Sequence, residues 1–463
     1  MGVEQVKLAS QQSSDDLQAF MRRLLNDVRA FEYMLENDYF ETGIKRIGAE
    51  QELCLVDAHY KPAMCNMAIL EDFHPEWLTT ELGQFNLECN LTPQEFTAQA
   101  LSNLENELQD FLQQLRTAAA KQQARVVLTG ILPTLRKSDL ELEHLTPKPR
   151  YFALMQALKN LRGSDYEVRL EGIDELSLRH DSPLLEACNT SFQVHLQVSP
   201  QDFVAYYNNA LAIAGPTMAM AANSPLLFGK RLWHETRIML FQQSIDTRTT
   251  STNMRYRPPR VTFGNDWLRK SILEIYREDI ARFRVIMTAE QDEDAFEMLK
   301  NGETPKLRAL QVHNSTVYRW NRPCYGISAN GKPHLRIENR ILPAGPTIID
   351  EIANTAFWLG LMEGAAQEYG DVTQKMSFDD ARDNFVKGAR TGIDSKFTWF
   401  NNQKITAQEL LLKELLPLAK EGLKRNRIAE GDIARYLDVV ENRTRELATG
   451  ARWLLRSYSS FIK

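Results

Sequence analysis

The chain has 463 residues, 43% hydrophobic and 25% charged, the balance of an ordinary globular protein with ample length for a large core. Its net charge of -6, with no basic block or tail, argues against non-specific nucleic-acid binding. Five cysteines without a C-x-x-C pair speak against a disulfide framework and a structural zinc site, and they place the chain in the reducing cytoplasm.

Residues 1–20 are polar and lack the apolar core of a signal peptide, so export is not expected. Residues 14–37 carry helical periodicity, with Ser13 or Ser14 as a cap ahead of Asp15 and Asp16. The stretch from Arg46 to Asp57 reads as one strand. Side chains alternate across a strand, so Glu50 and Glu52 point from one face while Leu53 and Leu55 point from the other. Like charges side by side repel. They are either a solvent-washed polar face or the wall of a cation site, for which an oxygen-seeking divalent metal is the natural occupant.

Residues 81–93 repeat the design, with Asn86, Glu88 and Asn90 on one face and Phe85, Leu87, Cys89 and Leu91 on the other. Glu81 stands at an odd offset from Glu88 and joins it only if the chain bulges or turns near Gly83, which glycine permits. Residues 93–123 read as a long amphipathic helix, 125–130 as a buried strand, 151–161 as a helix and 166–173 as an alternating strand. In residues 189–200, Gln193, His195 and Gln197 share one face, against Phe192, Val194, Leu196 and Val198 on the other.

Residues 203–229 are uncharged and long enough to span a bilayer. Asn208-Asn209, Gly215-Pro216, Asn223 and Ser224-Pro225 interrupt them, so a buried pair of small-residue helices is the better account and no membrane span is expected. Residues 267–287 read as a helix and 290–303 as a surface loop or helix end. In residues 334–343, Arg336, Glu338 and Arg340 form one row and Leu335, Ile337 and Ile341 the other. Such a row is a surface ion-pair ladder of little worth, or, beside a metal–phosphate site, an anion clamp with a metal ligand at its centre. Residues 347–367 are helical, and from Asp371 to Lys463 the pattern is almost wholly helical with no clear strand.

Distant strands with apolar backs and fronts of Glu, Gln, His and Arg predict an α+β fold, a mostly antiparallel sheet with helices behind it and a charged concave front. Glu50, Glu52, Glu81, Glu88 and Glu338 supply five negatives, of which two divalent ions offset four. A nucleoside triphosphate adds about four more, to be met by Arg336, Arg340 and Arg322 beside the metals. The set suits phosphoryl transfer. With one His it does not suit a zinc hydrolase, and neither a G-x-x-x-x-G-K-[ST] loop nor a G-x-G-x-x-G turn is present.

At these residues the sequence resembles the glutamate-cysteine ligases of the glutamine-synthetase-like superfamily and the similar carboxylate-amine ligases. The resembling motifs are Gly48-Ala49-Glu50-Gln51-Glu52, residues 81–93 with their Leu-Glu-x-x-x-Thr-Pro ending, His195 in its strand, Ala222-Asn223-Ser224-Pro225, and 336–346 with Thr347 opening a helix. The resemblance implies a glutamine-synthetase-like, curved, mostly antiparallel sheet in a catalytic domain over residues 1–370, with a helical C-terminal segment, 371–463, packed on it. It implies Glu52, Glu81 and Glu88 as ligands of one Mg2+ (or Mn2+) near the substrate carboxylate, and Glu50, His195 and Glu338 as ligands of a second that bridges the ATP phosphates. Arg340 matches the arginine that stabilises the transferred phosphoryl group, with Arg336 in the same row, and Arg322 and Arg237 resemble substrate- or phosphate-binding arginines.

The implied activity, one of glutathione biosynthesis, joins the γ-carboxylate of glutamate to the amino group of cysteine. ATP first activates the carboxylate as an acyl phosphate, and an amine then displaces phosphate. No protein nucleophile is required, which agrees with the absence of a Ser-His-Asp or Cys-His pattern. A different amine or acid substrate, or a non-catalytic regulator that binds nucleotide or amino acid, are the alternatives. The partners expected are small molecules, and the sequence does not disclose an oligomeric state.

Overall fold

The strand predicted from Arg46 forms as Arg46–Val56 and is the spine of an eight-stranded sheet that is antiparallel throughout. The computed structural model describes residues 6–9, 13–248, 258–289 and 293–461. Numbering only this sheet, its strands are β1 (Arg46–Val56), β2 (Leu78–Thr80), β3 (Asn86–Asn90), β4 (Gln94–Glu95), β5 (Arg125–Val127), β6 (Phe192–Val198), β7 (Asn321–Ile327) and β8 (Pro333–Asn339). They lie in the order β7-β8-β6-β1-β3-β2, with β4 and β5 pairing the two ends of β1. The antiparallel sheet is the one the alternating strands predict, and it is curled.

The apolar backs are buried as the alternation requires: Leu53 and Leu55 of β1, Leu87 of β3, Val194 and Leu196 of β6, and Leu335 and Ile337 of β8 are at most 1% exposed. Two long helices stand behind them, α1 (Ala100–Lys121) and α2 (Ile348–Glu368). Helix α2 is capped by Thr347 and buried from Glu351 to Ala365, all round its circumference. Its outer flank is taken by α3 (Leu416–Arg425) and α4 (Glu430–Arg445) of the C-terminal segment. Glycines let α2 and α3 touch backbone to backbone: a Cβ on Gly422 would lie 1.9 Å from the carbonyl oxygen of Gly360. Arg443 of α4 then ties α2 from the side, donating to Asn354 Oδ1 at 2.6 Å and Asp350 Oδ1 at 2.7 Å. The uncharged run folds as the expected pair of buried helices, Phe203–Ala212 and Ala214–Ala221, and no helix among the described residues is long and apolar enough to cross a membrane.

Several expected elements are shorter or different. Residues 81–93 are not one strand: β2 and β3 form a hairpin turned at Gly83, whose carbonyl accepts the Asn86 N–H at 2.9 Å. The helix expected from residue 93 begins only at Ala100, because Gln94 and Glu95 are spent on pairing with Arg46 and Ile47 at the edge of β1. The helix expected over 267–287 is cut to Leu273–Arg282, and Met287–Ala289 instead pairs with Val6–Leu8. Of residues 290–303, 290–292 lie outside the described residues and Ala295–Lys300 is a short helix capped by Asp294. The strand expected over 166–173 forms as Tyr166–Glu171, in a separate hairpin with Glu175–His180. The C-terminal segment is helical except for a hairpin, Lys396–Thr398 with Lys404–Thr406, where Phe397 is buried and Asn401 and Asn402 take left-handed backbone at φ 54° and 62°.

Candidate active site

Register aligns the front-facing side chains in rows across the sheet. Glu338 of β8 stands opposite Arg322 of β7 on one side and His195 of β6 on the other, with Gly48 of β1 beyond His195. In the next row Gln193 faces Glu50, and Glu50 faces Asn90. In the third row Glu52 faces Glu88, and Glu88 faces Thr79. Period-two alternation and antiparallel pairing therefore put residues from four parts of the chain on one surface. The turn at Gly83 brings in Glu81 from the end of β2.

Glu52, Glu81 and Glu88 each place a carboxylate oxygen within 4.8 Å of the other two. Their orientations are set by donors. Glu52 accepts the Ser191 N–H at 2.7 Å, the Ser191 hydroxyl at 3.0 Å and the Gln193 amide at 2.7 Å. Glu88 accepts from Asn90 at 2.9 Å and Thr79 at 3.2 Å. Burial, and then the charges of Glu50 and Glu52, push Glu88 up to about 7. Burial and the neighbouring Glu88, Glu52 and Glu186 carboxylates hold Glu81 well above the ordinary carboxylate range, and burial raises Glu52 as well. Three oriented carboxylates whose mutual repulsion resists ionisation are a donor set that fits a hard divalent cation.

Glu50, His195 and Glu338 lie beside this trio. Glu50 Oε1 is 3.2 Å from His195 Nε2, out of hydrogen-bond alignment, and both His195 Nε2 and Glu338 Oε1 are buried without a hydrogen bond. Arg340 and Arg322 approach Glu338 Oε1 at 3.2 and 3.5 Å, and the Cys324 thiol donates to Glu338 Oε2 at 3.2 Å. Burial disfavours the charge on Glu338, but Arg322, Arg340 and His195 outweigh it and hold its carboxyl well below the usual range. Burial is likewise overcome at Glu50, by His195. Among the described residues only the first trio brings three ligand atoms within 4.8 Å; the second is looser, and its imidazole nitrogen, buried without a hydrogen bond, fits a further bound cation.

A cavity of about 340 Å³ opens over the second trio, a volume in the range of small-molecule sites. Glu50, His195, Arg322, Arg336 and Glu338 supply its charged wall, while Leu154, Met287, Leu310 and Val312 supply an apolar one. Arg336 donates to His334 Nε2 at 2.8 Å and keeps its own Nε buried without a partner.

Arg237 is the exception among the expected residues. Its guanidinium donates to Glu235 at 3.1 Å, to the Arg340 carbonyl at 3.1 Å and to the Ile341 carbonyl, so each of its three nitrogens bonds within the protein, and the residue does not line the cavity. It is also no surface arginine, being 3% exposed. It holds the backbone that carries Arg340.

Sequence reading missed Arg150, which lines the cavity from the helix Pro149–Arg162, and Glu186 in a short 3-10 turn, whose carboxyl is pushed up to about 8 by burial and the charge of Glu52. Neither belongs to a polar-faced strand, so the alternation that exposed the others gave no signal.

The chain matches the family described as glutamate-cysteine ligase family 2 over residues 46–460. Among solved structures it is similar to a glutamate-cysteine ligase from Francisella tularensis in complex with AMP, at 12% identity and a TM-score of 0.52, covering 91% of this chain and 87% of that one. A bifunctional glutathione synthetase from Pasteurella multocida is similar at the same identity and TM-score, covering 90% of this chain and 49% of that one. Such likeness establishes the fold, a glutamine-synthetase-like ligase fold. No curated protein matches the chain.

Proposed function

The chain belongs to the glutamate-cysteine ligase family, and from that premise we propose that it is an ATP- and Mg2+-dependent ligase that joins the γ-carboxylate of glutamate to the amino group of cysteine through an acyl phosphate. The observation that carries the reading is the convergence of Glu52, Glu81 and Glu88 to within 4.8 Å beside the Glu338–Arg340 pair. The two sets, Glu52, Glu81 and Glu88, and Glu50, His195 and Glu338, would hold two Mg2+ or Mn2+ ions, which neutralise charge on the phosphoryl oxygens when bound.

The protein's own groups bind, orient and shield. Arg322 and Arg336 line the cavity and offset the charge of the triphosphate. Arg340, its peptide carbonyl fixed by Arg237, would stabilise the γ-phosphoryl group in transfer. The substrate carboxylate attacks that phosphorus, forming a C–O–P linkage and releasing ADP. The amine then attacks the acyl carbon, the C–N bond forms, inorganic phosphate departs, and the amine gives up its proton. The Cys324 thiol in the cavity wall is directed at Glu338, and the proposed chemistry requires no nucleophile of the protein.

The test is ADP release in the presence of glutamate and a panel of amines. Release that requires cysteine supports the reading. Release with another amine keeps the ligase chemistry and changes the substrate, whereas none with any pair leaves a non-catalytic binding protein.

A further inference from the structure

The two strand arginines that line the cavity are held in different ways. Arg322 approaches the Glu338 carboxylate at 3.5 Å, so part of its charge is met within the protein. The guanidinium of Arg336 makes no ion pair among the described residues, and its one hydrogen bond there runs from Nη1 to His334 Nε2, at 2.8 Å. Its neighbours across the sheet are engaged elsewhere: the Cys324 thiol donates to Glu338, and the Gln197 amide donates to Glu41 and accepts from Arg46.

His334 does not line the cavity, and it is held from behind. Its Nδ1 lies 2.9 Å from the hydroxyl of Ser328, in the turn between β7 and β8, and that hydroxyl donates to Glu41 at 2.9 Å. Glu41, 6% exposed, also accepts from Arg46, Gln197 and Asn330. The directions of this chain are forced from both ends, because a guanidinium only donates and an ionised carboxylate only accepts. The imidazole therefore carries its proton on Nδ1, directs it at Ser328 and presents a bare Nε2 to Arg336. Burial, and then the Arg336 charge, push His334 down to about 4, which keeps the ring neutral. A neutral acceptor orients a guanidinium without cancelling its charge, where a carboxylate would do both. Gly326 faces His334 across the β7–β8 pairing, and a Cβ there would lie 2.7 Å from His334 Nε2 and 2.8 Å from Arg336 Nη1, so the contact needs a residue without a side chain at that position.

We infer that His334 is a positioning residue for the nucleotide: the Glu41–Ser328–His334 chain fixes Arg336 in the cavity wall with its charge uncompensated, to meet an oxygen of the triphosphate. The inference rests on the ligase reading and adds to it a residue that touches no substrate.

The experiment measures KM for ATP, glutamate and cysteine in wild type, His334→Phe, His334→Gln, Gly326→Ala, Arg336→Met and the double variant of His334→Phe with Arg336→Met. His334→Phe keeps a ring and removes the acceptor; it should raise KM for ATP about tenfold and leave both amino-acid KM values unmoved. His334→Gln, whose amide oxygen can accept in place of Nε2, should restore most of that loss. Gly326→Ala leaves both partners present but crowds their contact, and should shift the same KM; it carries the test alone should His334→Phe not fold. Because His334 acts through Arg336, adding His334→Phe to Arg336→Met should change nothing further. An unmoved KM for ATP in His334→Phe, a shift on an amino acid instead, or additive effects in the double variant overturn the inference. Should the wild type release no ADP with any pair, the ligase reading fails by itself, and calorimetric titration with ATP and Mg2+ decides. A Kd about tenfold weaker in His334→Phe than in wild type supports the inference, and equal values, or no binding to either protein, overturn it.

Discussion

Replacing Glu88 by Gln separates the stability of the carboxylate trio from its use. Glu88 ionises at about 7 in the folded protein against an ordinary 4.5, so between those values the folded state keeps a proton that the unfolded chain has released. Stability therefore falls as pH rises through that window and is lowest above about 7, by about 3 kcal/mol. This is a ceiling, because the half-buried face admits water. Gln keeps an Oε1 acceptor for Asn90 and Thr79 and removes only the charge. In chelator, Glu88→Gln should match the wild type near pH 4.5 and exceed it near pH 8 by up to about 3 kcal/mol, which is about 3 °C in Tm for a chain this long. Mg2+ at about a hundred times its Kd returns about 2.7 kcal/mol to the wild type and little to the variant, so the gap should close while turnover is lost. Urea unfolding at both pH values, with chelator and with Mg2+, reads all four states. A variant less stable than wild type near pH 8 in chelator, or stabilised by Mg2+ as strongly as wild type, would refute the reasoning.

Glu52→Gln should lower ADP release by about a thousandfold, since Glu52 is the member of the trio most tightly oriented, by Ser191 and Gln193; wild-type turnover in that variant removes the proposed metal role. Arg237→Met should cost about 3 kcal/mol in urea unfolding by leaving Glu235 buried and unpaired; a raised KM for ATP with intact stability would return Arg237 to the cavity. Gly422→Ala should lower stability by about 2 kcal/mol, because the added methyl meets the Gly360 carbonyl across the helix contact, and an unchanged Tm would contradict the close crossing.

The site was legible where two periodicities coincide. Glu50 and Glu52, or Arg336 and Glu338, announce themselves because a strand half-buried by Leu and Ile leaves its alternate residues on one surface. Which strands would be neighbours was not readable from spacing, since register depends on pairings far apart in sequence, and here the likeness to known ligases supplied what periodicity lacked. Glu81 required a turn that Gly83 permitted but did not demand. Glu186 was invisible because a single 3-10 turn has no pattern to break, and the internal pairing of Arg237 was not readable because a helical position alone does not say which way a guanidinium turns. The helix boundaries failed at residues 93–99 and 283–287 for the same reason: short strand pairings there, with β1 and with Val6–Leu8, overrode local helical periodicity.

The sheathing of α2 ties the far end of the chain to the chemistry. From Arg340 the backbone passes through a short loop, buried over Ile341–Gly345, straight into this helix, whose opposite flank is clasped by Gly422 and Arg443. The tail is therefore a keystone and no trailing ornament: shortening it would strip the cover from Gly360 and Gly364 and slacken the mast on which Arg340 is stepped.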